Sequence, residues 1–160
     1  MRIIKRASAF MTLWVLIMLP TFIISKYEVM RGANMSLFNF HYQMWKEGIP
    51  LRLNDSYSIS FDKGLDSTPY LGMAKGMFYI NKVDIRINKK MWKELDENDR
   101  KILLYHEMAH DLLMQRHITD PNSIMYPNRM GMNRRDADSM LTEFLQYYKY
   151  RHGKDKKQQR

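Results

Sequence analysis

Hydrophobic positions change period several times along the chain, and each change marks a predicted element. Residues 7–24 form an unbroken run of eighteen uncharged, mostly apolar residues directly after the basic start MRIIKR. A helix of that length spans about 27 Å, enough to cross a bilayer core. The basic start should stay in the cytoplasm, so residues 1–25 are expected to form a signal anchor with everything after Ser25 on the far side. A cleaved signal peptide is the rival reading, although no A-x-A site stands near the end of the run and Ile23-Ile24-Ser25 is a poor substitute. Residues 26–35 read as a short polar connector. After it, Leu37, Phe38, Phe40, Met44 and Trp45 recur at helical spacing over 36–46, and Gly48 and Pro50 stop the helix. Residues 56–61 alternate as a strand. Residues 70–88 read as two or three more, with Gly72 and Gly76 marking a bulge or turn and Val83, Ile85 and Ile87 on one face.

Past Trp92 the period returns to that of a helix. Asp96 can cap it, Glu97 and Asp99 place negative charge in its first turn, and Ile102, Leu103, Tyr105, Met108, Ala109 and Leu112 form a broad apolar surface. A last helix over 133–150 would pack through Met140, Leu141, Phe144, Leu145 and Tyr148. Strands and helices in this order predict one compact α+β domain over 36–150, with a small mixed sheet and a single core.

Composition alters this picture little. The net charge of +9 suggests nucleic acid until it is located: residues 1–6 carry +3 and the tail 151–160 carries +4, which leaves the body nearly neutral. The tail reads as a solvated, frayed terminus suited to an anionic lipid or wall surface, and no nucleic-acid partner is expected. The absence of cysteine excludes disulfides, thiol catalysis, thiolate metal sites and a lipoprotein anchor. The 15 methionines are read as core filling and membrane-segment residues.

The chemistry is concentrated in residues 106–127, HEMAHDLLMQRHITDPNSIMYP. Residues four apart share a helix face, so His106 and His110 can turn imidazole nitrogens toward one cation. Glu107, one step round, lies beside the metal and suits a general base better than a ligand. A catalytic zinc needs a third protein ligand and an open position, and His117 is the candidate. A continuing helix would carry His117 about 10 Å along the axis from His110, so the helix must break between about Leu113 and Arg116. Asp120, and Glu143 on the following helix, stand as alternatives. His41 is expected to be an ordinary core or surface histidine.

These residues resemble the metzincin metallopeptidases, whose pattern is HExxHxxGxxH followed by a Met-turn. His106, Glu107, His110 and His117 take the matching positions, and Met125 within Ser123-Ile124-Met125-Tyr126-Pro127 is the turn methionine. The third histidine falls one residue late, and Leu113 stands where the family has glycine. A longer turn should reach the same point without the positive φ that glycine serves. The longer spacing is similar to that of small bacterial and phage metallopeptidases with an HELGHxxLxRxH-type helix and an SIM turn. Asp84-Ile85-Arg86-Ile87-Asn88 and Trp92 match that group's upstream strand and tryptophan.

The resemblance implies a zincin-like, metzincin-like fold: a small sheet, an active-site helix, a Met-turn and a C-terminal helix behind a transmembrane segment. It implies a zinc metalloendopeptidase in which zinc activates a water, Glu107 takes its proton, and Met125 forms an apolar floor beneath the histidines. A peptide or protein substrate could add a strand near residues 71–75. The domain would lie outside the cytoplasm, periplasmic or extracellular, membrane-anchored or secreted if the signal is cleaved. The alternative function is a non-catalytic, membrane-tethered zinc-binding or interaction protein.

Overall fold

A computed structural model describes residues 30–51, 56–75, 82–127 and 135–158. Segment 1–25, with its expected membrane span, lies outside the described residues, as does Gly76. Among the described residues no helix is long and apolar enough to cross a membrane.

Helix α1 (Met30–Lys46) starts inside the stretch read as a connector, because Ala33, Leu37, Phe40 and Met44 repeat at helical spacing and all four are buried. It ends in a Schellman motif: Gly48 takes φ +72°, its N–H donates to the Trp45 carbonyl, and the Ile49 N–H donates to the Met44 carbonyl. Ile49 and Met44 are both buried, the apolar contact that accompanies this motif. His41 is sealed within the helix packing, with Nδ1 against the Leu37 carbonyl and Nε2 against the Tyr57 hydroxyl, both at 2.9 Å. It is a core histidine.

Strands β1 (Ser56–Phe61), β2 (Gly72–Ala74) and β3 (Lys82–Ile87) form one sheet in the order β1-β3-β2, with β1 parallel and β2 antiparallel to the central β3. Val83, Ile85 and Ile87 have no exposed surface and form the sheet's contribution to the core. Asn88 closes the end of β3. Its N–H donates to the Leu71 carbonyl, its amide donates to the carbonyls of Leu65 and Tyr70, and its side-chain oxygen caps α2 (Lys89–Glu94) at the Met91 N–H. One buried side chain thereby ties β3, the start of β2 and the 3-10 helix Lys63–Ser67 together.

Asp96 then caps α3 (Glu97–Leu112), accepting from the Asp99 N–H at 2.8 Å. Helix α4 (Ala137–Gln158) packs through Ala137, Met140, Leu141, Phe144 and Leu145. It is longer than expected. The backbone stays helical to Gln158, so most of the basic tail continues the helix instead of fraying, consistent with the favourable placing of lysines at a helix C-terminus. The Tyr105 hydroxyl donates to Asp138 at 2.6 Å while Asn39 donates to both, joining α1, α3 and α4 by one part-buried polar knot. Among the described residues the architecture is a small mixed α+β fold of a three-stranded sheet and four α-helices.

Candidate metal centre

Helix α3 carries His106, Glu107 and His110 into one cleft, since its opposite face is anchored by Leu104, Met108 and Leu112 in the core. It stops at Leu112, as the spacing required. The manner of stopping differs from expectation. Leu113 takes φ −112° and ψ 0°, and the next residue, Met114, takes φ +53°. The extra residue therefore does not avoid a left-handed conformation but moves it one position on, to a side chain that points into solvent. A left-handed non-glycine costs roughly 1–2 kcal/mol. The Gln115 N–H folds back on the Ala109 carbonyl at 3.1 Å, and the chain then returns His117 to the helix.

The three imidazoles converge. Nε2 of His106 lies 3.0 Å from Nε2 of His110 and 3.2 Å from Nε2 of His117. The opposite ring nitrogens of the two helical histidines are held by main chain: Nδ1 of His106 donates to the Ile124 carbonyl at 2.8 Å, and Nδ1 of His110 to the Gln115 carbonyl at 2.5 Å. A carbonyl only accepts, so both Nδ1 atoms carry the proton and both Nε2 atoms present lone pairs. Lone pairs facing one another at 3.0 Å repel unless positive charge lies between them. Burial, joined by the charge of His110 and His117, pushes the His106 imidazolium down to about 4 against the pull of the Ile124 carbonyl. Burial lowers His110 as well. Neutral, oriented imidazoles are the form that binds a metal, and this cluster could hold a metal ion.

The segment after the bend supplies the orienting carbonyl for His106. The Asp120 carboxylate accepts from the Asn122 N–H and its carbonyl from the Ser123 N–H, while Ser123 Oγ accepts from the Met125 N–H. The Ile118 N–H donates to the Met125 carbonyl, and Met125 itself is fully buried. Asp120 is thus a turn residue, exposed and outside the histidine cluster. Glu143 pairs with Arg135 on the surface. Neither joins the three histidines.

Glu107 sits in the same cleft, only 6% exposed. Burial pushes its carboxyl up to about 7; the Ala74 N–H donating to it works the other way, and the nearby Asp111 raises it further. Asp111, one helical turn on, is buried and accepts from the Asp84 N–H at 3.3 Å. Gly72 was expected to mark a bulge or turn, yet it lies in regular strand β2, paired with Ile87. Its glycine is required by approach: a Cβ there would stand 2.7 Å from Oε1 of Glu107 and 3.1 Å from Cδ and Cγ. Sequence reading missed Gly72, and it missed Ile124 and Gln115, which act through backbone carbonyls that any residue could supply.

The cleft holds about 780 Å³ and runs past Tyr70, Met73 and Pro127 as well as the histidines and Glu107. Comparison of the chain with family models, curated proteins and solved structures returns no match.

Proposed function

We propose that the chain is a zinc-dependent metallopeptidase of metzincin-like, zincin-like design, anchored in a membrane through residues 7–24 with its domain outside the cytoplasm. The observation that carries the reading is the meeting of three Nε2 atoms beside a buried glutamate in a cleft bordered by a sheet edge. Tetrahedral zinc with bonds of about 2.1 Å sets its nitrogens about 3.4 Å apart. The separations of 3.0 and 3.2 Å are close to that. His106, His110 and His117 would hold the ion, leaving one position open. Bound there, zinc supplies Lewis-acid polarisation of water and of a peptide carbonyl.

The remaining chemistry belongs to the chain. Glu107, with its carboxyl near 7, is poised to take a proton from the attacking water and return it to the leaving amine. The Ile124 and Gln115 carbonyls keep His106 and His110 in the ligating tautomer. Strand β2 can receive an extended substrate. The Lys75 N–H donates to Asp84 and the Asn88 N–H to Leu71, so Leu71 and Lys75, either side of β2, and Met73 between them turn their backbone groups to β3. The N–H and C=O of Gly72 therefore point away from β3, along an edge that no other described strand covers and that an extended peptide can pair with.

The test is zinc stoichiometry together with hydrolysis of a fluorescence-quenched peptide library. We expect one zinc per chain, and Glu107→Ala should abolish hydrolysis with zinc retained. Full activity in that variant would overturn the mechanism. Zinc bound at full occupancy with no hydrolysis by the native chain would favour a non-catalytic, membrane-tethered zinc-binding protein.

A further inference from the structure

We propose that Asp99 selects the substrate, so that the cleft takes a peptide with a lysine or arginine side chain beside the scissile bond. This inference rests on the peptidase reading and concerns the far end of the same cleft. Asp99, Ile102, Leu103, His106 and His110 recur every three or four residues on α3, and all of them line the cavity. Asp99 lies seven residues before His106, which places it about 10 Å along the helix axis from the histidine cluster. Between the two on the helix stand Ile102 and Leu103, and Ile124 and Pro127 of the turn line the same cavity.

The helical wall of the cavity thus runs from the histidines over apolar Ile102 and Leu103 to the Asp99 carboxylate in the first turn. A short side chain would not reach Asp99, and a long apolar one would desolvate its carboxylate. Lysine and arginine match both parts, since they lay an aliphatic stem along apolar surface and deliver a charged head beyond it. Within the described part of the cleft wall the only charge facing this carboxylate besides the helix N-terminus is acidic. Among the described residues no lysine or arginine forms an ion pair with Asp99. Lys101 turns instead to Glu97 and Asp138, and Arg100 lies over the Trp92 ring. Burial raises the Asp99 carboxyl above the usual range, and Asp96, alongside, adds charge of the same sign. A role confined to the helix dipole would need neither the apolar stretch nor a position on the cleft wall.

The experiment uses the full zinc-loaded chain and two dipeptide hydroxamates that differ only in carrying lysine or norleucine, with binding measured by calorimetry. The lysine compound should bind at least about tenfold more tightly. Asp99→Asn should equalise the two without weakening the norleucine compound, and Asp99→Lys should invert the preference toward a glutamate compound. Circular dichroism identifies any variant that fails to fold, and Asp99→Ala then replaces it. Equal binding of the two compounds by the native chain, or a lysine preference that survives in Asp99→Asn, would overturn the proposal. Asp99-dependent binding without hydrolysis of any lysine or arginine peptide would sink the peptidase reading and leave the assignment of the cleft standing.

Discussion

Replacing Gly72 by alanine tests how closely the sheet edge sets the position of Glu107. The new Cβ would stand 2.7 Å from Oε1 and 3.1 Å from Cδ and Cγ, against ordinary contacts of about 3.5 Å. The strand has little freedom to retreat, because Leu71 and Lys75 on either side of it are bonded to Asn88 and Asp84. The carboxylate must therefore move, by about 0.5–1 Å, and leave the Ala74 N–H. Misplacing a catalytic group by about 1 Å costs on the order of a hundredfold in rate, or about 2.7 kcal/mol of barrier. If the proposed peptidase reading holds, Gly72→Ala should lower kcat by that order while zinc affinity stays native, since no histidine contact is touched. The assay is kcat and KM on a cleaved peptide, with bound zinc measured on the same sample. The double variant Gly72→Ala with Glu107→Ala should be no slower than Glu107→Ala alone, because both changes act through one carboxylate. Native kcat in Gly72→Ala at full zinc occupancy would refute the reasoning.

Three further outcomes rest on the same contacts. Met114→Gly removes a left-handed non-glycine and should raise stability by about 1 kcal/mol, read as a higher denaturant midpoint; a lower midpoint would contradict it. Tyr105→Phe deletes the hydroxyl bound to Asp138 and Asn39 and should cost about 1–2 kcal/mol in the same assay, whereas an unchanged midpoint would show that the knot adds nothing. Glu107 has a folded pKa raised to about 7, so its contribution to the zinc-free chain is complete below the unfolded value and is lost as pH rises through 7. Glu107→Gln should therefore gain up to about 3 kcal/mol over the native zinc-free chain at pH 8 and little at pH 5; an equal difference at both pH values would count against the raised carboxyl.

The features legible in the sequence are those that depend on near neighbours in the chain. The limits of β1, the stop at Gly48, the cap at Asp96 and the apolar faces of α3 and α4 are all set by residues within a turn or two. The pairing of His106 with His110 belongs to the same class, because helical spacing alone fixes it. Misread features depend on distant partners or on backbone groups. Arg31, Gly32 and Asn34 made the start of α1 look like a connector, although Ala33 among them is in the core. Gly72 owes its identity to Glu107, far along the chain, and nothing near it in sequence reveals the approach.

The bend before His117 shows the same division in one place. Spacing required a break, and the break occurs where it was expected. The expectation that the extra residue would remove the positive φ failed, because the longer turn still needs one left-handed residue and only shifts it to Met114. With Leu113 kept in the helical cap it remains buried, and the left-handed residue becomes Met114, whose side chain can leave the surface. That choice also sets the Gln115 carbonyl on Nδ1 of His110 while the Gln115 N–H closes on Ala109. A turn with glycine at the earlier position would have no reason to place that carbonyl there. The late histidine, the leucine in place of glycine and the orientation of His110 are thus three consequences of one backbone turn, and the strain at Met114 is offset by the bonds that the turn makes.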